Sequence, residues 1–156
     1  MRKYIKYFWY VVRHKWFVFV ECCRFGVPLL GVIHDWQKLT PTEWYPYMMT
    51  FSSGKWKYNE RPQWLIDSFD YAWLHHQHLG PHHWQYWILT QDEDENKILP
   101  MPDKYRKEML ADWIGAGKAI LGKDANTLKW YMKNRLKIQF HPDTRKWIDK
   151  SLGFLQ

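Results

Sequence analysis

Near the head of the chain, Ile5, Phe8, Trp9, Val12, Trp16, Phe19 and Val20 return at the spacing of one helix face. This predicts a long helix from about Lys3 to Phe25, closed by Gly26 and Pro28. A short segment, Leu29 to Trp36, leads into "TPTEW". There Thr40 suits an N-cap, Pro41 the first helical position and Glu43 the reciprocal place in a capping box, so the next helix should start near Pro41. After the loop "SSGKWKYNERP", Pro62 opens a helix through Leu79, and Gly80-Pro81 stops it. "HHWQYWIL" is then expected to begin a further helix, and the acidic, proline-punctuated "TQDEDENKILPMP" to form an exposed connection. Pro102 opens "DKYRKEMLADWIGAGKAIL", where Tyr105, Met109, Asp112 and Trp113 fall on neighbouring faces. "TLKWYMKNRLKI" and "PDTRKWIDKSL" complete the series, with His141 before Pro142 as a helix-entry residue. Strand signals are almost absent, and there is no internal repeat or low-complexity tract. The pattern predicts an all-α fold, a single domain over residues 1–156 with about seven or eight helices.

Composition agrees with one domain that buries a real core: 156 residues, 46% apolar. Twelve Trp and ten Tyr exceed what a small core needs, so some rings are expected to line a pocket or an interface, which leaves a homodimer open. A formal charge of +7 favours anionic partners. Lys and Arg are spread along the chain without a basic tail or block, which places a small anion such as a nucleotide ahead of nucleic acid. The two cysteines, Cys22 and Cys23, are adjacent and supply no framework of spaced disulfides, so a reducing, cytoplasmic setting is expected. Glu21, Arg24 and Pro28 interrupt the most apolar stretch, and the basic N-terminus lacks a clean apolar core, so neither a membrane span nor a leader is expected.

The chemistry concentrates in "GVIHDWQKLTP" and in the grouping of the eight histidines. His34 and Asp35 end an apolar run, where both are costly to bury without partners. His14 lies on the first helix, His75, His76 and His78 late in the fourth, His82 and His83 beyond Gly80-Pro81, and Asp112 on the helix opened by Pro102. Imidazole and carboxylate are ligands for first-row metals, and a helical bundle can converge such side chains on one interior point. Lys38, three residues after Asp35, reaches the same side of a helical turn. It forms either a surface ion pair or a charge that stabilises a transferring phosphoryl group. "GAGK" at 115–118 sits in a helical pattern and has Asp112 where a phosphate loop needs glycine, so Gly115 and Gly117 read as positions of close packing or bending. Ser52 and Ser53 lie outside any nucleophile-elbow context.

The order His14, His34-Asp35, Lys38, His75-His76, His82-His83, Asp112 resembles the HD-domain superfamily of metal-dependent phosphohydrolases, and "HDWQK" is similar to the form in its two-metal branches. The resemblance implies that His14, His34, Asp35 and Asp112 hold the first ion, that Asp35 bridges, and that residues among His75, His76, His82 and His83 complete the site. The blocks "HKWFVFVECCR", "GVIHDWQK", "TPTEWYPY", "HHWQYW", "MPDKYRKEMLADWIGAGKA" and "FHPDTRKWI" are also similar to a bacterial and phage family of uncharacterised function. The chain lacks the Gly-Tyr-Pro signature of the cyclic-dinucleotide phosphodiesterase branch, having Gly80-Pro81 after its His doublet.

The expected activity is hydrolysis of a nucleotide or similar small phosphate ester. One or two divalent ions (Fe, Mn, Zn, Co or Ni) would activate a water, with Asp35 and Lys38 at the reacting centre. Lys38, Arg106, Lys107 and Lys118 are candidates for phosphate, and Trp84, Tyr86 and Trp87 for stacking on a base. Two alternatives stay open: a metal-containing binding protein without catalysis, and a di-iron oxygenase on the same scaffold.

Overall fold

The computed structural model of the chain describes residues 2–52 and 60–154. The seven α-helices among these described residues are α1 (Arg2–Arg24), α2 (Pro28–Ile33), α3 (Pro41–Ser52), α4 (Gln63–Leu79), α5 (Asp103–Leu121), α6 (Thr127–Asn134) and α7 (Pro142–Ser151). The fold is an all-α single domain. Among the described residues no helix is long and apolar enough to cross a membrane. Most of the loop "SSGKWKYNERP", with Ser53, lies outside the described residues.

α1 ends as its sequence dictates: Gly26 takes a positive φ of 74° and turns the chain back into α2. α1 carries two apolar faces. Tyr7, Val11, Val18 and Cys22 point inward, while Ile5, Trp9, Val12 and Trp16 stay exposed on the opposite side. The inward face lies against α5 so closely that a Cβ at Gly115 would stand 2.6 Å from Val18 Cγ2 and 2.8 Å from its backbone nitrogen. Gly115 is therefore a packing glycine, which keeps α1 and α5 at contact distance.

Three apolar clusters surround the centre of the domain. Tyr7, Val11, Tyr47, Met48 and Ala72 join α1, α3 and α4. Val18, Cys22 and Ala111 join α1 and α5. Met109, Leu110, Tyr131, Ile138, Phe140 and Ile148 form the largest around α5, α6 and α7. On α1, His14 lies between Val11 of one cluster and Val18 of another, and is itself buried.

Three local expectations are corrected. The segment "HHWQYWIL" forms only a 3-10 turn, Trp84–Trp87, which passes into a two-residue strand β1 (Ile88–Leu89). β1 pairs antiparallel with β2 (Lys97–Ile98), Ile88 opposite Ile98. The Trp87 indole donates to the carbonyl of Pro81 at 2.8 Å, and His83 is already extended, so the backbone is committed to a turn before a helix can nucleate. The short segment Leu29 to Trp36 is not one element, since its helix ends at Ile33. Asp35 adopts φ 53° and ψ 31°, a left-handed conformation a short polar side chain tolerates, and the chain resumes as a 3-10 turn, Trp36–Leu39. The capping box is also replaced: the Thr40 hydroxyl donates to the Gln37 carbonyl at 2.7 Å, and the Glu43 carboxylate turns inward to histidines of α4.

Candidate metal centre

Each element contributes because its apolar neighbours fix its rotation. α1 presents His14, α4 presents His76 near its C-terminus, and α5 presents Glu108 and Asp112, four residues apart and therefore on one face. The break between α2 and the following turn delivers His34, Asp35 and Lys38, and the turn after Gly80 delivers His82 and His83.

Asp35 stands in the middle with one oxygen toward each half of the site. Its Oδ2 is 3.1 Å from His14 Nε2 and 3.2 Å from His34 Nε2. Its Oδ1 is 3.1 Å from His76 Nε2 and 3.3 Å from His82 Nε2. Asp112 Oδ1 lies 3.3 Å from His14 Nε2 and 3.4 Å from His34 Nε2. Two overlapping groups result, His14/His34/Asp35/Asp112 and Asp35/His76/His82/His83, each with its ligand atoms within 4.8 Å of one another.

Two of the outer nitrogens face carboxylates. His34 Nδ1 donates to Glu108 Oε1 at 3.0 Å, and His76 Nδ1 is 2.9 Å from Glu43 Oε2. A carboxylate behind an imidazole fixes the ring and places its proton on Nδ1, which leaves the Nε2 lone pair facing inward. His82 Nδ1 also faces Glu108, at 3.4 Å. The further grouping His34/His82/Glu108 therefore reads as the support behind the ligands, because the Nε2 atoms of both rings already face Asp35.

The donor set fits a divalent first-row ion. His34 Nε2, His76 Nε2, His82 Nε2, His83 Nε2 and Asp35 Oδ1 are buried and form no hydrogen bond. Leaving so many buried polar atoms unmatched is costly, and a cation would satisfy them together. All are nitrogen or oxygen donors, the class that takes Fe, Mn, Zn, Co or Ni. Cys22 and Cys23 are outside both groups, and burial pushes the Cys22 thiol up to about 12.

Electrostatics within the site follow from charges crowded at low exposure. Burial pushes His14 and His83 below the usual imidazole range, with Lys38 adding to the effect at His14 and His82 at His83. Burial is also the largest single effect on His34 and His76, but there Asp35, joined by Asp112 and Glu108 at His34 and by Glu43 at His76, raises both. Burial opposes ionisation of Asp35 and Asp112 too, but the combined pull of His34, Lys38, His76 and His14 on Asp35, and of His34 and His14 on Asp112, holds both below the ordinary carboxylate range. Lys38 pairs with Asp35 Oδ2, and this contact, against the cost of burial, keeps its ammonium charged.

The structure brings His14, His34, Asp35, His76, His82, His83 and Asp112 together, with Lys38 on Asp35. His75 lies outside both groups: its Nδ1 is 2.9 Å from Glu43 Oε1 and its side chain is 39% exposed. The other cations engage elsewhere. Lys118 pairs with Glu21 at 2.5 Å, while Arg106 and Lys107 pair with Asp103 at 2.8 and 2.6 Å. Trp84 lines a concavity of about 360 Å³ with Trp73, Trp113 and Trp130, and His83 and Asp112 form part of the same wall. Tyr86 is exposed, and Trp87 is held by its bond to Pro81.

Sequence reasoning missed Glu43 and Glu108. Glu108 carried a usable signal, being one helical turn before Asp112 on the same face. Glu43 carried none, because its position after Thr40-Pro41 matches a helix start just as well.

A family model described as "Family of unknown function (DUF5662)" matches residues 3–153. No curated protein and no solved structure matches the chain.

Proposed function

The chain belongs to this family of unknown function, so its activity has to be read from its site, and we propose that it is a metal-dependent phosphohydrolase acting on a nucleotide or similar small phosphate ester. The observation that carries the reading is Asp35: one carboxylate with its two oxygens on two separate histidine-rich groups, and a buried lysine on the same carboxylate. The His, His-Asp, Asp order along the chain, similar to that of HD-domain phosphohydrolases, supports it as well.

His14, His34 and Asp112 would hold one ion, His76, His82 and His83 a second, and Asp35 would be shared. Such ions lower the pKa of a bound water to near neutrality and so supply a hydroxide nucleophile. The protein's own groups do the rest. Glu108 holds His34 in the tautomer that binds through Nε2, and Glu43 sets a carboxylate 2.9 Å from His76 Nδ1. Lys38, only 12% exposed, offers an ammonium to phosphoryl oxygens at a point where little water competes. The tryptophan-lined concavity beside His83 and Asp112 borders the same centre.

The test is turnover. Protein reconstituted in turn with manganese, iron, cobalt, nickel and zinc should hydrolyse at least one member of a phosphate-ester panel. Asp35→Asn should lose metal and turnover while keeping the wild-type helical circular dichroism. Its loss should exceed the 10- to 100-fold, roughly, that even an outer partner of a metal ligand costs. Full activity in that variant would sink the reading, as would a metal-loaded protein that binds esters and turns over none.

A further inference from the structure

Two compartments meet at the side of the site that holds Lys38. The inner one, about 250 Å³, is lined by Tyr10, Lys38, Tyr47, Phe51, Phe69 and Trp73. The outer one is larger, about 730 Å³, and lies between α1, the end of α3 and the end of α5. Tyr10 and Phe51 line both, their rings stacked with centroids 6.5 Å apart. Tyr10 also stacks on His14, at 6.1 Å, so the ring that separates the compartments rests on a residue of the candidate centre.

The outer compartment has a definite chemistry. Tyr7, Trp9, Tyr10 and Phe51 give it aromatic walls, and Lys6 and Arg13 give it two cations; among the described residues its lining includes no carboxylate. Lys6 and Arg13 are two helical turns apart on α1, roughly 10 Å along the axis, with Trp9 and Tyr10 between them. Neither is ion-paired among the described residues, unlike Lys38, Arg106, Lys107 and Lys118. A concave aromatic wall with unpaired cations at intervals recognises a ring that carries an anionic group.

We propose that this outer compartment is a specificity subsite, and that the substrate is an ester with two anionic ends: a phosphoryl group at Lys38, and a ring beyond Tyr10 bearing a second anion at Lys6 and Arg13. The inference rests on the hydrolase reading for what happens at Lys38, but the subsite is built by α1, α3 and α5 away from the candidate metal groups. Lys6 and Arg13 are positioning residues, since neither belongs to the candidate metal groups.

A matched pair of probes tests it: methylumbelliferyl phosphate, and the same coumarin phosphate with its methyl group replaced by carboxymethyl. The two differ by one carboxylate at the end of the ring system remote from the phosphate. Calorimetric titration of metal-free protein should give at least about ten-fold tighter binding of the carboxymethyl probe. The double variant Lys6→Ala/Arg13→Ala should lose that advantage and bind the methyl probe as wild type does, with metal content after loading unchanged. Equal affinities for the two probes in wild type, or a preference that survives in the double variant, would overturn the subsite. Failure of the hydrolase reading looks different: the preference would persist with no turnover of either probe after metal loading.

Discussion

Asp35 depends on its own backbone conformation for its place at the centre. In the left-handed region the residue breaks the helix-to-turn path and points a carboxylate between α1, α4 and α5; a β-branched residue there would be strained. Around it the imidazoles are held from behind, and this second layer is where residue-scale design is most exposed to test. Glu108 receives the His34 Nδ1 proton and faces His82 Nδ1. Glu108→Gln keeps size and removes charge, and should weaken metal affinity about 10- to 100-fold with the fold intact. Competition with a chelator of known affinity measures it, and unchanged affinity would show that the glutamate is only a packing partner. The residues that converge here were legible in the sequence because histidine doublets and a His-Asp pair at the end of an apolar run are hard to place otherwise. The support behind them was not, because a glutamate on a helix has many equivalent uses.

Elements were legible in proportion to how much of their identity is local. α1 and α4 have strong apolar periodicity and definite stops, and their observed ends lie close to those read from the pattern. The stretch 82–89 was misread because its aromatic residues serve tertiary contacts: His82 and His83 turn into the site, and Trp87 bonds back to Pro81. α6 and α7 are joined by a polar tie that periodicity could not show. The Tyr131 hydroxyl donates to Asp149 Oδ1 at 2.6 Å, and Arg135 Nη2 donates to Asp149 Oδ2 at 2.8 Å. Burial would raise the Asp149 carboxyl, but these two bonds outweigh it and hold it below its ordinary value. A carboxyl depressed on folding contributes stability that is complete above its unfolded pKa, roughly 4, and is lost as the pH falls through the lower folded value. Asp149→Asn should therefore be destabilised at neutral pH, and the gap to wild type should close in acid. Urea midpoints of both proteins from neutral pH downward measure this; a gap that stays constant would mean the tie acts through shape alone.

At the scale of the whole molecule, apolar clusters on both sides of the centre hold an interior that is expensive by itself. Five histidines and two aspartates converge where an ordinary core would have leucine and phenylalanine. The Val18–Gly115 contact between α1 and α5 sets how far His14 stands from Asp112. Buried polar groups cost free energy unless matched, and on the proposed metal-dependent reading cations would match them and add their binding energy to folding. The direct measurement is metal content by elemental analysis of untagged protein, loaded and then freed of excess ion, for wild type beside His34→Ala. Two ions per chain in wild type, with the loss of at least one in the variant, is the result this account predicts. Wild-type protein that retains no ion under any loading condition would contradict it and leave Asp35 and its histidines as a structural network.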